Sequence, residues 1–374
     1  MPPSVLWVAE PAQLRRHIGT ISGRVGLDTE FIRERTYWPK LALAQIAIDD
    51  GEGTIVLADM LVPGMPGALR PLLLDPSVVK VMHSASEDLI ALQHACDAVP
   101  EPLFDTQVAA ALAGIAAGAG YQRLVQDLTG IALAKGETRS DWTRRPLSPA
   151  QLEYAADDVR HLFALHDALS ARIDALGRRA WLEEDCARMV ATARDGEGER
   201  WPHLSLRSAQ FLDPGGQRRL LRLLRWREAQ ARSSDRPRNW ILDNELAVAL
   251  AREAPSGPEE LRVILDRHPK APHRLAARIL EALSTPLPDE DEAPMARGDD
   301  RDRQVLLRRL QAAVAARSAE LGLPDGVLAS RRWLEALMDG GDWPGALSGW
   351  RRRQLEPALA PLLRTAGERH AASV

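Results

Sequence analysis

Cysteine is almost missing from the chain: Cys96 and Cys186 are the only two in 374 residues. Two cysteines build neither a disulfide framework nor a zinc site, and they suit a reducing cytosol. Long apolar runs are also missing. None approaches the ~20 residues that a membrane span needs. The N-terminal "MPPSVLWVAEP" lacks a charged segment followed by a long apolar core, so no secretory signal is expected. Lysine is scarce, and nearly all of the basic residues are arginine, the better bidentate partner for phosphate. The net charge of -4 is small, so overall charge does not announce a nucleic-acid binder. The charge is unevenly spread, however: the N-terminal half is acidic and an arginine surplus begins at about residue 205.

The length suggests two or three domains, and 45% hydrophobic residues suffice for ordinary cores. Five segments read as strands: "VLWVAE", "RVGLDTEF", "LALAQIAID", "GTIVLADM" and "VVKVMHSA". Helical patterns intervene at "PAQLRRHIG" and "GALRPLLL" and dominate after residue 85. The order predicts a mixed sheet flanked by helices. "SASE" (Ser84–Glu87) and "SPAQ" (Ser148–Gln151) read as capping boxes, the second with Pro149 at the first helical position. From about residue 200 onward the chain reads as all helix. The acidic, proline-rich stretch 284–300 reads as a linker between two helical units.

In "RVGLDTEF", Asp28 and Glu30 stand two positions apart on a strand, so their side chains share a face. Left alone they repel, and a cation between them resolves the conflict. Asp88 follows the fifth strand in the first turns of a helix. Tyr154 and Asp158 lie four apart on a later helix and share its face. Four carboxylates and a phenol from three segments form a set able to hold two hard divalent cations through oxygen.

These motifs carry a resemblance. "LDTEF", "RERTYWPKLALAQIA", "HSASEDL", "LFDTQ" and "SDWTRRPLSPAQLEYAADDVRHL" occur in order over residues 1 to about 200. Together they resemble ribonuclease D, in the Tyr-x-x-x-Asp subgroup of the DEDD exonucleases. The resemblance implies an α/β ribonuclease H-like fold and 3′→5′ hydrolysis of RNA by two metal ions, Mg²⁺ or Mn²⁺, releasing nucleoside 5′-monophosphates. It implies Asp28 and Glu30 as the first motif, Asp88 as the second, and Tyr154 with Asp158 as the third. In this scheme Asp28 bridges both ions, Glu30 and Asp158 complete one site, Asp88 supports the other through water, and Tyr154 orients the attacking water. Among neighbouring residues, Asp105 reads as a helix cap, while Asp141 and Trp142 are structural or substrate-side. Arg33, Arg35, Tyr37 and Trp38 are candidates to line the nucleic-acid path, Trp38 with a base-stacking face. His83 reads as a core histidine, and Asp157, His161 and His166 as solvent-facing.

Residues 218–264, with "RPRNWILDNELAVALAR" and "SGPEEL", resemble the HRDC domain, which implies a small helical bundle that binds nucleic acid. Its arginines are punctuated by Trp226 and Trp240. The expected organisation is an exonuclease domain over 1–204, an HRDC domain over 205–288, a linker over 289–300 and a divergent HRDC-like unit over 301–374. Without residues 205–374 the nuclease is expected still to fold. The expected protein is a cytoplasmic enzyme acting on tRNA precursors or other structured RNA 3′ ends and not on membranes; the sequence leaves its oligomeric state open, with a monomer favoured. A DNA 3′→5′ exonuclease and a non-catalytic RNA-binding protein on a nuclease fold are the alternatives.

Overall fold

The computed structural model describes residues 4–133, 136, 140–196, 198–298, 301–340 and 343–371, with backbone alone at 340 and 365–371. The N-terminal part runs β1 (Val5–Val8), α1 (Pro11–Ile18), β2 (Gly23–Ile32), β3 (Lys40–Ile48), β4 (Ile55–Asp59), α2 (Met65–Leu74), β5 (Val78–Met82), α3 (Ser86–Cys96), β6 (Leu103–Asp105), α4 (Thr106–Leu112), α5 (Tyr121–Thr129), α6 (Pro149–Arg160), α7 (Leu162–Ala175) and α8 (Arg179–Asp195). The strands form one mixed sheet in the order β1-β4-β3-β2-β5-β6. The β2–β3–β4 meander is antiparallel, and β1, β5 and β6 add in parallel. The sixth strand, only three residues long, escaped the sequence reading because so short a run carries no period.

β3 and β4 are buried along almost their whole length, as expected for central strands covered on both faces. Helix α6 packs across β2, β3 and β4. Gly26 permits the close approach of the following helix: a Cβ there would stand 3.1 Å from Ala47 Cβ and 3.3 Å from Leu162 Cδ1. Gly26, Asp28 and Glu30 alternate onto this same face of β2. The β2–β3 register shifts between Glu30 and Phe31, an irregularity of the kind that re-aims side chains beside active sites.

The Ser148 capping box forms as expected: Gln151 N–H donates to Ser148 Oγ (3.2 Å) and Ser148 N–H to Gln151 Oε1 (2.9 Å). The "SASE" box does not form. Ser84 has φ +56°, α3 begins at Ser86, and no side chain of the segment caps it. Asp105 substitutes for it by accepting from Ala85 N–H at 2.8 Å.

The C-terminal part comprises α9 (Pro214–Ser234), α10 (Arg238–Ile241), α11 (Asn244–Glu253), α12 (Pro258–Asp266), α13 (Ala276–Ser284), α14 (Arg301–Leu321), α15 (Arg331–Gly340) and α16 (Trp350–Ala371). Helices α9 to α13 enclose a separate apolar core. The final three helices instead share the core of the sheet domain, through Leu310, Leu334, Trp350 and Leu355 among others. The Trp350 indole stacks on Trp181 at 4.4 Å. The buried Arg351 guanidinium makes a two-point pair with Asp185 at 2.5 and 2.9 Å. Thus this unit is not a detachable appendage.

The acidic stretch read as a linker is also anchored. Glu290 is buried against Arg222, Asp289 pairs with Arg225 at 2.7 Å, and Glu292 pairs with Arg200 at 2.6 Å. Gln217 and Ala296 exchange hydrogen bonds in both directions. Acidic residues that look like solvated linker in sequence are counterions for the arginine face of α9.

Candidate active site

Strand β2 presents Asp28 and Glu30, α3 presents Asp88 as its third residue, and α6 presents Tyr154 and Asp158. All five converge. Burial raises the Asp28 carboxyl well above the usual carboxylate range, and the charges of Asp88, Asp158 and Glu30 raise it further. Burial, then Asp158 and Asp88, push Glu30 up to about 8. Asp88 and Asp158 are each pushed up to about 7, chiefly by burial. Thr29 Oγ1 donates to Asp88, and Tyr154 donates to Asp158. Burial and the surrounding carboxylates raise the Tyr154 phenol, so it remains a proton donor at neutral pH.

A partly buried acidic cluster of this kind calls for positive charge, and its donors are all oxygen, the choice of hard divalent cations. No three His, Cys, Asp or Glu side chains among the described residues form a ready-made cage for one ion. The donor set fits cations shared with substrate oxygens and water rather than a closed structural site.

Tyr121 and Arg145 support the site without having been evident in the sequence, and Asp105, Asp141, Trp142 and His83 take structural places around it. The Tyr121 hydroxyl donates to Asp157 O (3.0 Å) and accepts from His161 N–H (3.1 Å), fixing the break between α6 and α7 three residues beyond Asp158. Trp142 is buried with its ring 6.0 Å from that of Tyr154, which makes it structural. Asp141 accepts from Thr143 N–H and Oγ1 at 3.0 and 2.6 Å, closing a local turn. Arg145 ties this loop to the sheet through Asp59 at 2.8 and 2.5 Å. Asp105 caps α4 by accepting from Gln107 and Val108 N–H at 2.8 and 3.0 Å. His83 is a packed histidine, 2.8 Å from Thr106 Oγ1, and burial lowers its pKa.

Other candidates lie elsewhere than the sequence suggested. Tyr37 and Trp38 do not offer free stacking faces. The Tyr37 hydroxyl meets Glu228, Arg232 and Arg238, while Asp235 accepts from Tyr37 and Trp38 N–H at 3.0 and 2.9 Å. Trp38 stacks on His94 at 4.8 Å. These aromatics join the sheet domain to α9 and α10. Arg33 bonds Tyr37 O and Glu87, each at 2.9 Å, while Arg35 stays exposed. Asp157 is half-buried and pairs with Arg160 at 2.5 Å. His161 lies half-buried at the helix break, and His166 is half-buried 2.8 Å from Arg24 and 4.5 Å from the Phe104 ring. The misreading of the two histidines came from treating α6 and α7 as one helix. Trp226 packs against the helical core, whereas Trp240 is 58% exposed.

Comparison with known proteins identifies the family. The family model described as 3′-5′ exonuclease matches residues 6–174, and the HRDC domain model matches residues 217–283. The Ribonuclease D of Xanthomonas oryzae pv. oryzae is 58% identical over 96% of this chain and 98% of its own length. The Ribonuclease D of Pseudomonas paraeruginosa is 37% identical over 97% of this chain and 99% of its own. The crystal structure of Escherichia coli RNase D superposes with a TM-score of 0.80 at 28% identity, covering 98% of this chain and 99% of that one. A 3′-5′ exonuclease domain followed by an HRDC domain, matched end to end by these relatives, places the chain in the ribonuclease D family of exoribonucleases.

Proposed function

We propose that Asp28, Glu30, Asp88, Tyr154 and Asp158 are the catalytic residues, and that they hydrolyse the 3′-terminal phosphodiester of RNA with two divalent cations, Mg²⁺ or Mn²⁺. The convergence of four carboxylates from β2, α3 and α6, Asp88 buried and Asp28, Glu30 and Asp158 half-buried, carries this reading. Asp28, central to the cluster, would help hold both cations, Glu30 and Asp158 would help hold one of them, and Asp88 would support the other. The cations, when bound, lower the pKa of water and neutralise charge on the attacking and leaving oxygens. Tyr154, held protonated, orients the water by a hydrogen bond rather than removing its proton.

The substrate reading is an RNA 3′ end, with tRNA precursors as the principal class. It is supported by the relatives, one of which is described as an exoribonuclease involved in structured RNA processing. The exonuclease unit spans 1–204, the HRDC unit 205–288, the joining segment 289–300 and the last helical unit 301–374. The enzyme works in the cytoplasm. No helix among the described residues is long and apolar enough to cross a membrane. The test is hydrolysis of matched single-stranded RNA and DNA with the products identified, in Mg²⁺ and in excess chelator, beside Asp28→Asn. RNA shortened from its 3′ end to 5′-monophosphates, with loss of activity in chelator and in the variant, is the expected result. Full activity in chelator overturns the two-metal reading, and equal turnover of DNA overturns the RNA preference.

A further inference from the structure

Gln45, in the middle of β3, is wholly buried, yet neither its carboxamide oxygen nor its nitrogen has a hydrogen-bond partner among the described residues. Burying an amide without partners is unfavourable, because its hydrogen bonds to water are lost and not replaced. An apolar side chain of the same shape would avoid that cost, so packing does not account for glutamine here.

Its location supplies a reason. Gln45 lies directly across from Asp28 in the antiparallel β2–β3 register, and Leu57 flanks it on β4. Side chains directly opposite in such a pair stand on the same face, with Cβ atoms ~4.5–5.5 Å apart. The Gln45 side chain therefore leaves the sheet next to that of Asp28, on β3, which with β2 packs against the α6 helix that carries Tyr154 and Asp158. Its chemistry is also suitable. The Nε2 hydrogens donate to a carboxylate or to a water, and Oε1 accepts from a water. A buried donor and acceptor left open together next to a carboxylate are the usual setting of an internal water.

We propose that Gln45 is a positioning residue for Asp28: its carboxamide holds an internal water that also bonds the Asp28 carboxylate, orienting that carboxylate toward the cations. This inference rests on the two-metal reading above. Gln45 touches no reacting atom. It acts through Asp28, as outer hydrogen-bond partners of metal ligands do, where losing one typically costs about 10–100-fold in metal affinity or activity.

Gln45→Met tests it, since methionine keeps the length and removes both polar groups. Three quantities are measured on the full chain: Mn²⁺ binding by electron paramagnetic resonance without RNA, the thermal midpoint in chelator, and single-turnover cleavage of a short RNA. The expected result is Mn²⁺ affinity weakened about 10–100-fold, slower cleavage at subsaturating metal, and a thermal midpoint equal to or above that of wild type. Leu57→Met, an equally buried neighbour on the same face, controls for packing and should leave Mn²⁺ binding unchanged. Wild-type Mn²⁺ affinity in Gln45→Met overturns the inference, as does an equal loss in Leu57→Met. Should Gln45→Met not fold, Gln45→Leu replaces it under the same criteria. If wild type itself binds no Mn²⁺, it is the two-metal reading that fails.

Discussion

The Tyr154 hydroxyl donates to Asp158 one helical turn away, and its pKa is raised by burial and by the carboxylates around it. Tyr154→Phe keeps the ring packed near Trp142 and removes only the donor. Turnover should fall by about 10²–10⁴-fold, the usual contribution of a positioned proton-handling group, with Mn²⁺ affinity nearly unchanged. The loss should appear in kcat more than in KM, because the interaction is made chiefly in the transition state. Single-turnover cleavage beside metal titration checks both; wild-type turnover would make Tyr154 a packing residue. The carboxylates themselves make a prediction about pH. Glu30 is raised to about 8 and Asp88 and Asp158 to about 7. A raised folded-state pKa favours the protonated form, so the stability these groups allow is full below about pH 4, their unfolded range. It is lost as pH rises through 7–8. In chelator, the thermal midpoint should fall between about pH 4 and 8. Saturating Mg²⁺, which binds the ionised form, should flatten or reverse that slope.

Among the elements, α8 carries more than its place in the chain suggests. Asp185 and Arg351 are each buried at 6% exposure, and Asp185 also accepts from Trp350 Nε1 at 3.0 Å and from Arg188 at 2.9 Å. Removing one partner of a buried pair leaves the other charge uncompensated, which typically costs about 3–5 kcal/mol. Asp185→Ala should destabilise the protein by about that amount, measured by urea unfolding. An effect below about 1 kcal/mol would place the pair among weak surface bridges.

Across the whole molecule, the three units are joined by specific contacts. The Tyr37–Glu228 cluster joins the sheet domain to α9, and Trp350 and Arg351 join it to the last helices. Deleting residues 301–374 would uncover Trp181 and remove the Arg351 partner of Asp185. The truncated chain should therefore melt at a clearly lower temperature than the full chain, with its near-ultraviolet tryptophan signal altered. An unchanged midpoint would show that the last unit is independent after all.

Strand alternation puts Asp28 and Glu30 on one face and helical spacing puts Tyr154 and Asp158 on another, so both pairs are legible in the sequence, whereas joining them with Asp88 into one candidate set rests on the resemblance to ribonuclease D. The sequence also foretold the Ser148 cap and the order of strands and helices down to β5, because each depends on residues within a few positions. Only the tertiary structure decided what depends on distant partners. Tyr37 and Trp38 became interface residues because α9 and α10 bring Glu228, Arg232 and Asp235 against them. The acidic 289–292 segment became a counterion strip because the α9 arginines lie beneath it. Ser84 lost its capping role because Asp105, 21 residues on, reaches the start of α3. Gln45 looks like any polar residue in "LALAQIAID" until the β2–β3 register sets it beside Asp28. Short-range periodicity is written in the order of residues, whereas the pairing of charges and orphaned amides depends on which surfaces meet when the chain folds.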